Sequence, residues 1–475
     1  MKKRILSLVT ILAVTLAGCG GSGGGGASTG ANSPKPNNNQ TQTGTNPSAP
    51  ADKGTIQLTF WHAMGGANEA VVKQVVQHYN DTAGKEQGIA ITPVFQGSYQ
   101  DLMKKVRAAV QAKDTKNLPD IVQVPASDTA YIKDVPSLVP AHVLIAKDSS
   151  FNIKDLEPNA LASFSFKGEQ MGVPFANSTI LLYYNKKMFE EASLDPAQPP
   201  ATIDELGQYA LKLTKKNGDQ VAQWGFSGTP DLWHMSSWIG MQGAGSYIGN
   251  NKNGREDTMT EIEFDSTGTM KQFLTEWKKA IDYGGIQTGT DANTTEEFAA
   301  GKLAMFLAST AALRGVLNAV GDKFEVGTAF LPRVQEGDQG GVAVGGSALY
   351  VMDRGDQAKI DAAWEYLKFS VSPETQLMWH TGTGYFPVNT KTYDLPQMKE
   401  HLDKNKLFQT AIDQLHASSP ETQEPLVGVP TEFSRIMKEE ILAYVLGRTE
   451  LDTAVQNMAE ASNKALQDYN KVNKK

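Results

Sequence analysis

From Thr55 onward, short apolar runs with a period of about two alternate with longer stretches at helical spacing. Ile56–Trp61 (IQLTFW) predicts a strand, and Val71, Val72, Val75 and Val76 within Glu69–Tyr79 predict a helix after it. Ile89–Phe95 and Asp120–Val124 read as further strands, with a helix over Gln100–Ala112 between them. Strands separated by helices imply βαβ units, a parallel sheet and an α/β fold. In such sheets a ligand sits beyond the carboxyl ends of the strands. Trp61-His62, Gln96–Tyr99 and Pro125–Asp128 all fall at that rim.

The middle of the chain is richer in helical spacing, over Thr202–Lys215, Ser266–Tyr283 and Thr294–Ala300. Leu303–Leu307 and Val342–Met352 read as strands, the second interrupted by Gly345-Gly346. Lys359–Phe369, Glu374–His380 and Pro430–Gly447 read as helices, and no internal repeat is present. About 420 residues of globular composition exceed a usual single domain and predict two lobes.

Ahead of this region the pattern changes twice. Lys2, Lys3 and Arg4 precede the apolar Ile5–Leu16, which ends in Leu16-Ala17-Gly18-Cys19. The apolar stretch is too short for a comfortable membrane span and reads as a signal peptide. Its end resembles a bacterial lipobox, in which the cysteine becomes the lipidated first residue. Cys19 is the only cysteine, which excludes an internal disulfide framework and a cysteine-based metal site. Residues 20–54 are almost wholly Gly, Ser, Asn, Thr, Gln, Pro and Ala, a composition that predicts a disordered tether with a reach on the order of 30 Å.

The formal charge is −8, and about −11 once Lys2, Lys3 and Arg4 are removed with the leader. Such a chain is a poor general partner for nucleic acid or an anionic membrane. Gly26–Gly30 fits G-x-S-x-G and Gly18–Gly23 fits G-x-G-x-x-G, but neither has the strand and helix those motifs require. There is no Walker A sequence and no H-E-x-x-H, and the seven histidines lack metal-ligand spacing. No catalytic residue, cofactor or metal is expected. A lipid-anchored hydrolase and a surface adhesin remain as the competing classes.

Several segments, in this order and at these separations, resemble the extracellular solute-binding proteins (family 1) of ABC importers. They are Phe60–His62, Gln96–Tyr99, Gln123-Val124, Pro174–Lys186, Met235–Gly240, Gly345–Met352 and Trp379–Asp394. The branch they most resemble is the sn-glycerol-3-phosphate-binding proteins. The resemblance implies a two-lobed periplasmic-binding-protein-like fold, with crossing strands near Phe175–Leu182 and Val344–Tyr350 and a ligand cleft between the lobes. The leader assigns 1–19 to the signal peptide and composition assigns 20–54 to the tether, while the resemblance assigns 55–178 plus 347–398 to lobe 1 and 179–346 plus 399–475 to lobe 2. Together they imply a monomer anchored through Cys19 to the outer face of the cell membrane, handing a small polar solute to ABC permease subunits. The solute would be sn-glycerol 3-phosphate or a glycerophosphodiester, with a neutral sugar or oligosaccharide as the alternative.

Tyr99, Ser178, Ser309, Gly346 and Tyr385 match ligand-contacting positions of that branch. Hydroxyls donate to phosphate or sugar oxygens, and a glycine lets backbone approach an anion. Trp233 and Trp238 offer flat faces for the C–H side of glycerol or a sugar, and His62 could donate to an anionic oxygen. Each also has a packing alternative. Two departures weaken the phosphomonoester case. Ala126 stands where the branch has an acidic residue, with Asp128 as the nearest substitute. Leu426 or a neighbour in Pro425–Pro430 stands where the branch has a phosphate-pairing arginine, and the nearest arginine is Arg435.

Overall fold

The computed structural model describes residues 54–289 and 293–473, so Cys19 and the tether lie outside it. Local sequence fixes the helix starts. Ser98 accepts from the Asp101 amide and Asp101 returns the contact, opening the helix Tyr99–Gln111. Thr202 and Glu205 form the same capping box ahead of Ile203–Leu213. In Ala67–Asp81 the four valines and Tyr79 form the buried stripe.

Two six-stranded sheets organise two lobes. In the first, Ile56–His62 lies between Ile89–Phe95 and Ile121–Pro125, parallel to both. The expected parallel sheet is only part of it. Gly345–Met352 runs antiparallel to Ile121–Pro125 and to Val173–Ser178, because it enters from the other lobe. The second sheet runs Ile286–Gln287, Gln220–Ser227, Leu303–Ser309, Ile180–Asn185, Val326–Phe330.

One residue, Thr179, separates the strand ending at Ser178 in the first sheet from the strand beginning at Ile180 in the second. Both strands are buried along their whole length. The chain returns through 331–344, between Val326–Phe330 and Gly345–Met352. The last two helices, Pro430–Val445 and Leu451–Asn473, pack with the second lobe's core through Phe433, Met437, Ala454 and Met458. The final helix went unread in the sequence because half of its buried stripe is small residues, Ala454, Ala459 and Ser462. No helix among the described residues is long and apolar enough to cross a membrane.

Candidate functional site

Five of the expected ligand positions meet where the strands cross. Ser178 ends its strand paired with Gly345, and Gly346 pairs with the neighbouring Asn177. Ser309 ends its strand paired with Ile180, two residues past Ser178. Tyr385 precedes Phe386, whose amide donates to the Asn177 carbonyl at 3.2 Å. Tyr99 opens its helix beside Tyr385, and burial together with that neighbour raises its hydroxyl well above the usual tyrosine range. Burial likewise pushes Tyr385 up to about 12. Both are therefore neutral donors at physiological pH.

Gly346 has φ +96°, a conformation L side chains rarely adopt, and a Cβ there would lie 2.0 Å from the Ala176 carbonyl oxygen. The strand bulges at Ser347/Ala348, so glycine is needed for the bend itself. At Gly345 a Cβ would come within 2.6 Å of the Trp233 ring, and the Trp233 indole N–H donates to the Ala343 carbonyl at 3.0 Å. Trp233 is thus pressed from the second lobe onto the returning strand.

Buried polar atoms without partners gather at this crossing. Tyr99 Oη, Asn177 Oδ1 and Thr310 Oγ1 make no hydrogen bond among the described residues. Each such group costs about 1–3 kcal/mol when left unpaired, and groups of this kind in native proteins need an explanation. A polar solute lodged among them would supply it. The surrounding frame is satisfied. Gln123 accepts from the Ala63 amide at 3.0 Å and donates to Ser347 Oγ at 2.7 Å, tying three segments of the first sheet together. Ser309 Oγ accepts from the Ala311 amide at 3.1 Å, so part of its hydrogen-bonding capacity is already used locally.

The other expected contacts fare differently. Trp238 is fully buried in the second lobe's core. It stacks on Phe273 with ring centroids 4.9 Å apart, and its indole N–H donates to the Pro332 carbonyl at 2.9 Å. This corrects the expectation that it faces the solute, because the side chain is fully enclosed in the second lobe's core. Trp277 closes the same cluster. His62 is also buried, against Phe60 and Phe95, with neither ring nitrogen bonded. Burial lowers it to about 4, so it is neutral and not a cationic anion-binder.

Asp128 pairs with Arg107 at 2.6 Å, and that guanidinium lies 3.9 Å above the Tyr131 ring. Burial raises the Asp128 carboxyl against the opposing effect of Arg107. Leu426 is buried and its amide donates to the Asn253 carbonyl. Arg435 is bound to Glu432 and Glu439 on its own helix and offers nothing to the cleft. The guanidinium near this segment is Arg255, which donates to the carbonyls of Ser163 and Glu424 at 2.8 Å each. Beside these groups a cavity of about 460 Å³ opens between the lobes, lined by Tyr131 and Lys133 on one side and Leu426, Gly428 and Tyr469 on the other.

Gln123, Asn177 and Thr310 at the crossing, and Arg255 beside the cavity segment, were not singled out by sequence reasoning. Gln123 and Asn177 carried a signal, each being an amide inside an otherwise apolar buried strand. Arg255 carried none, since its neighbours are contributed by distant segments.

Two α/β lobes joined by crossing strands, with unpaired polar groups at the crossing, define a solute-binding protein of the two-lobed kind. The family model for bacterial extracellular solute-binding proteins matches residues 74–406. The chain belongs to that family. The sn-glycerol-3-phosphate-binding periplasmic proteins UgpB of Salmonella typhimurium and Escherichia coli are each 28% identical over 427 residues, covering 88% of this chain and 94% of theirs. The UgpB of Mycobacterium tuberculosis solved with glycerophosphocholine superposes with TM-score 0.72 at 20% identity, covering 88% of this chain and 99% of its own. The cyclic α-maltosyl-1,6-maltose binding protein of Arthrobacter globiformis gives 0.71 at 23% identity, covering 87% and 100%. The chain is accordingly a substrate-binding receptor of the ABC-importer kind, acting outside the cytoplasm, and not an enzyme. Its partners are a small solute and permease subunits.

The two corrected and retained assignments separate by experiment. Trp238→Ala should destabilise the fold by about 3–5 kcal/mol in urea titration. Tyr99→Phe removes an unpaired hydroxyl, so the free protein should lose no more than about 0.5 kcal/mol while solute affinity falls roughly fivefold or more. A Tyr99→Phe protein that binds as tightly as wild type would remove Tyr99 from the site.

Proposed function

We propose that this receptor captures a glycerophosphodiester, and does so as a monomeric lipoprotein held to the outer face of the membrane by Cys19. The observation that carries the ligand reading is the pairing of neutral donors with nearby arginines that already donate to protein acceptors. Tyr99, Ser178, Ser309 and Tyr385 offer hydroxyls to glycerol and to a singly charged phosphodiester. Arg107 and Arg435 are paired with carboxylates, and Arg255 spends both of its terminal nitrogens on backbone carbonyls. A phosphomonoester carries up to two charges and is best held by a free, bidentate guanidinium. UgpB relatives that bind sn-glycerol 3-phosphate make the glycerol half the natural common element, and that ester remains the second candidate. Trp233 against Gly345 keeps a neutral sugar open as a third.

Capture is read as closure of lobe 1, residues 55–178 with 347–398, onto lobe 2, residues 179–346 with 399–475. Having Thr179 alone between two fully buried strands supports that hinge. Closure gives affinity because solute touches both lobes only in the closed form.

A thermal-shift series checks the solute. A ligand at a hundredfold excess over its Kd adds about 2.7 kcal/mol of stability. Glycerophosphodiesters should raise the melting temperature more than sn-glycerol 3-phosphate, and both more than maltose. A shift from maltose alone would replace the ligand reading, and no shift from any of them would sink it. The anchor is checked separately by metabolic labelling with a radioactive fatty acid. Wild type should incorporate label and Cys19→Ser should not; equal labelling would move the anchor elsewhere.

A further inference from the structure

Tyr385 is fixed at every point except its hydroxyl. Its ring stacks on Trp379 with centroids 5.4 Å apart. Its amide donates to Thr383 Oγ1 at 3.2 Å, and its carbonyl accepts from His380 Nδ1 at 2.7 Å. The hydroxyl has only a weak partner, donating to the thioether sulfur of Met64 at 3.6 Å. The hydroxyl of Tyr99 beside it makes no hydrogen bond to any described residue.

Met64 is itself held in place. It is buried, in the short connection between the strand Ile56–His62 and the helix Ala67–Asp81. The Ala63 amide just before it donates to Gln123 Oε1 at 3.0 Å, and Gln123 donates in turn to Ser347 Oγ on the returning strand. The His62 carbonyl accepts from the Gln96 amide at 2.9 Å. The frame that builds the crossing therefore also presents the sulfur to Tyr385. A thioether is a weak acceptor on a flexible, apolar side chain. It gives a buried hydroxyl a partner, yet little is lost when that hydroxyl turns away. An amide or carboxylate at position 64 would grip the hydroxyl harder and would be left unsatisfied inside the protein once it departed. A leucine there would leave the hydroxyl of the empty receptor with nothing.

We propose that Met64 is a positioning residue for capture: its sulfur holds the Tyr385 hydroxyl in the empty receptor and yields it to a solute oxygen. The exchange sets a threshold, because only an acceptor stronger than a thioether draws the hydroxyl away. Phosphate oxygens pass it readily, since hydrogen bonds to charged acceptors are about twice as strong as neutral ones. Hydroxyl and carbonyl oxygens pass it by less, and a solute that is apolar at that point does not. Met64 acts through Tyr385 and makes no contact with the solute. The role rests on the reading that Tyr385 donates to the solute, and adds to it the group that readies the donor. A contact made only in the empty form stabilises that form, so the Met64 bond lowers affinity by its own worth.

A double-mutant cycle, read by titration calorimetry with glycerophosphocholine and with sn-glycerol 3-phosphate, tests this. Met64→Leu conserves volume and apolar character and removes the acceptor. It should bind both probes about threefold more tightly than wild type, while the free protein melts about 1–2 °C lower. Tyr385→Phe should bind roughly fivefold more weakly or worse. In the Tyr385→Phe background, Met64→Leu should leave affinity within about 1.5-fold, because the hydroxyl it acts through is gone. A mere packing role would change affinity by the same factor in both backgrounds. That result, or weaker binding by Met64→Leu alone, overturns the proposal and leaves the diester reading intact. Met64→Ile carries the cycle if the leucine variant does not fold. Wild-type affinity in Tyr385→Phe overturns the proposal together with the place of Tyr385 in the site. Binding of neither probe by the wild type overturns the diester reading and this role with it.

Discussion

The structure depends on one constraint, the burial of polar backbone and side chains where two sheets meet at Thr179. Strands entirely inside protein must satisfy their hydrogen bonds in the sheets they join. Here the first strand pairs with Gly345–Met352 and the second with Leu303–Ser309 and Val326–Phe330. Thr179 between them is itself fixed, its carbonyl accepting from the Thr310 amide and its hydroxyl from Gln414. What is left over is specific. A tyrosine hydroxyl, an amide oxygen and a threonine hydroxyl remain buried and unpaired at the same place. Unpaired groups of this kind call for a partner.

Polar contacts also join the two lobes beside the crossing. Arg255 in the second lobe donates to Ser163 in the first, and Lys167 pairs with Asp257 at 3.1 Å. The Lys167 amide donates to the Arg255 carbonyl at 2.7 Å. These contacts are polar and partly exposed, so they can be made and broken at modest cost. The apolar cores lie on either side of the crossing and need not change when the lobes move.

Much of the fold was legible because its signals are local. Apolar period placed the first three strands and two helices of the first lobe to within a residue or two, since each carries its own pattern. The antiparallel return of Gly345–Met352 was not legible, because strand direction depends on where the chain has been. The site was half legible. Tyr99, Ser178, Gly346 and Tyr385 were singled out through family resemblance, and their meeting at the crossing comes from pairing between distant strands. Trp238 misled, because an aromatic in an amphipathic segment reads the same whether it faces a cleft or a core. Arg255 was invisible, since its contacts come from distant segments and not from any motif.

The central claim is that solute satisfies the unpaired groups at the strand crossing. The most direct test is a crystal structure of the protein with glycerophosphocholine. The account predicts solute oxygens within about 3 Å of Tyr99 Oη and Thr310 Oγ1, in contact with residues of both lobes. A solute bound elsewhere, with those hydroxyls still unpaired beneath it, would contradict it.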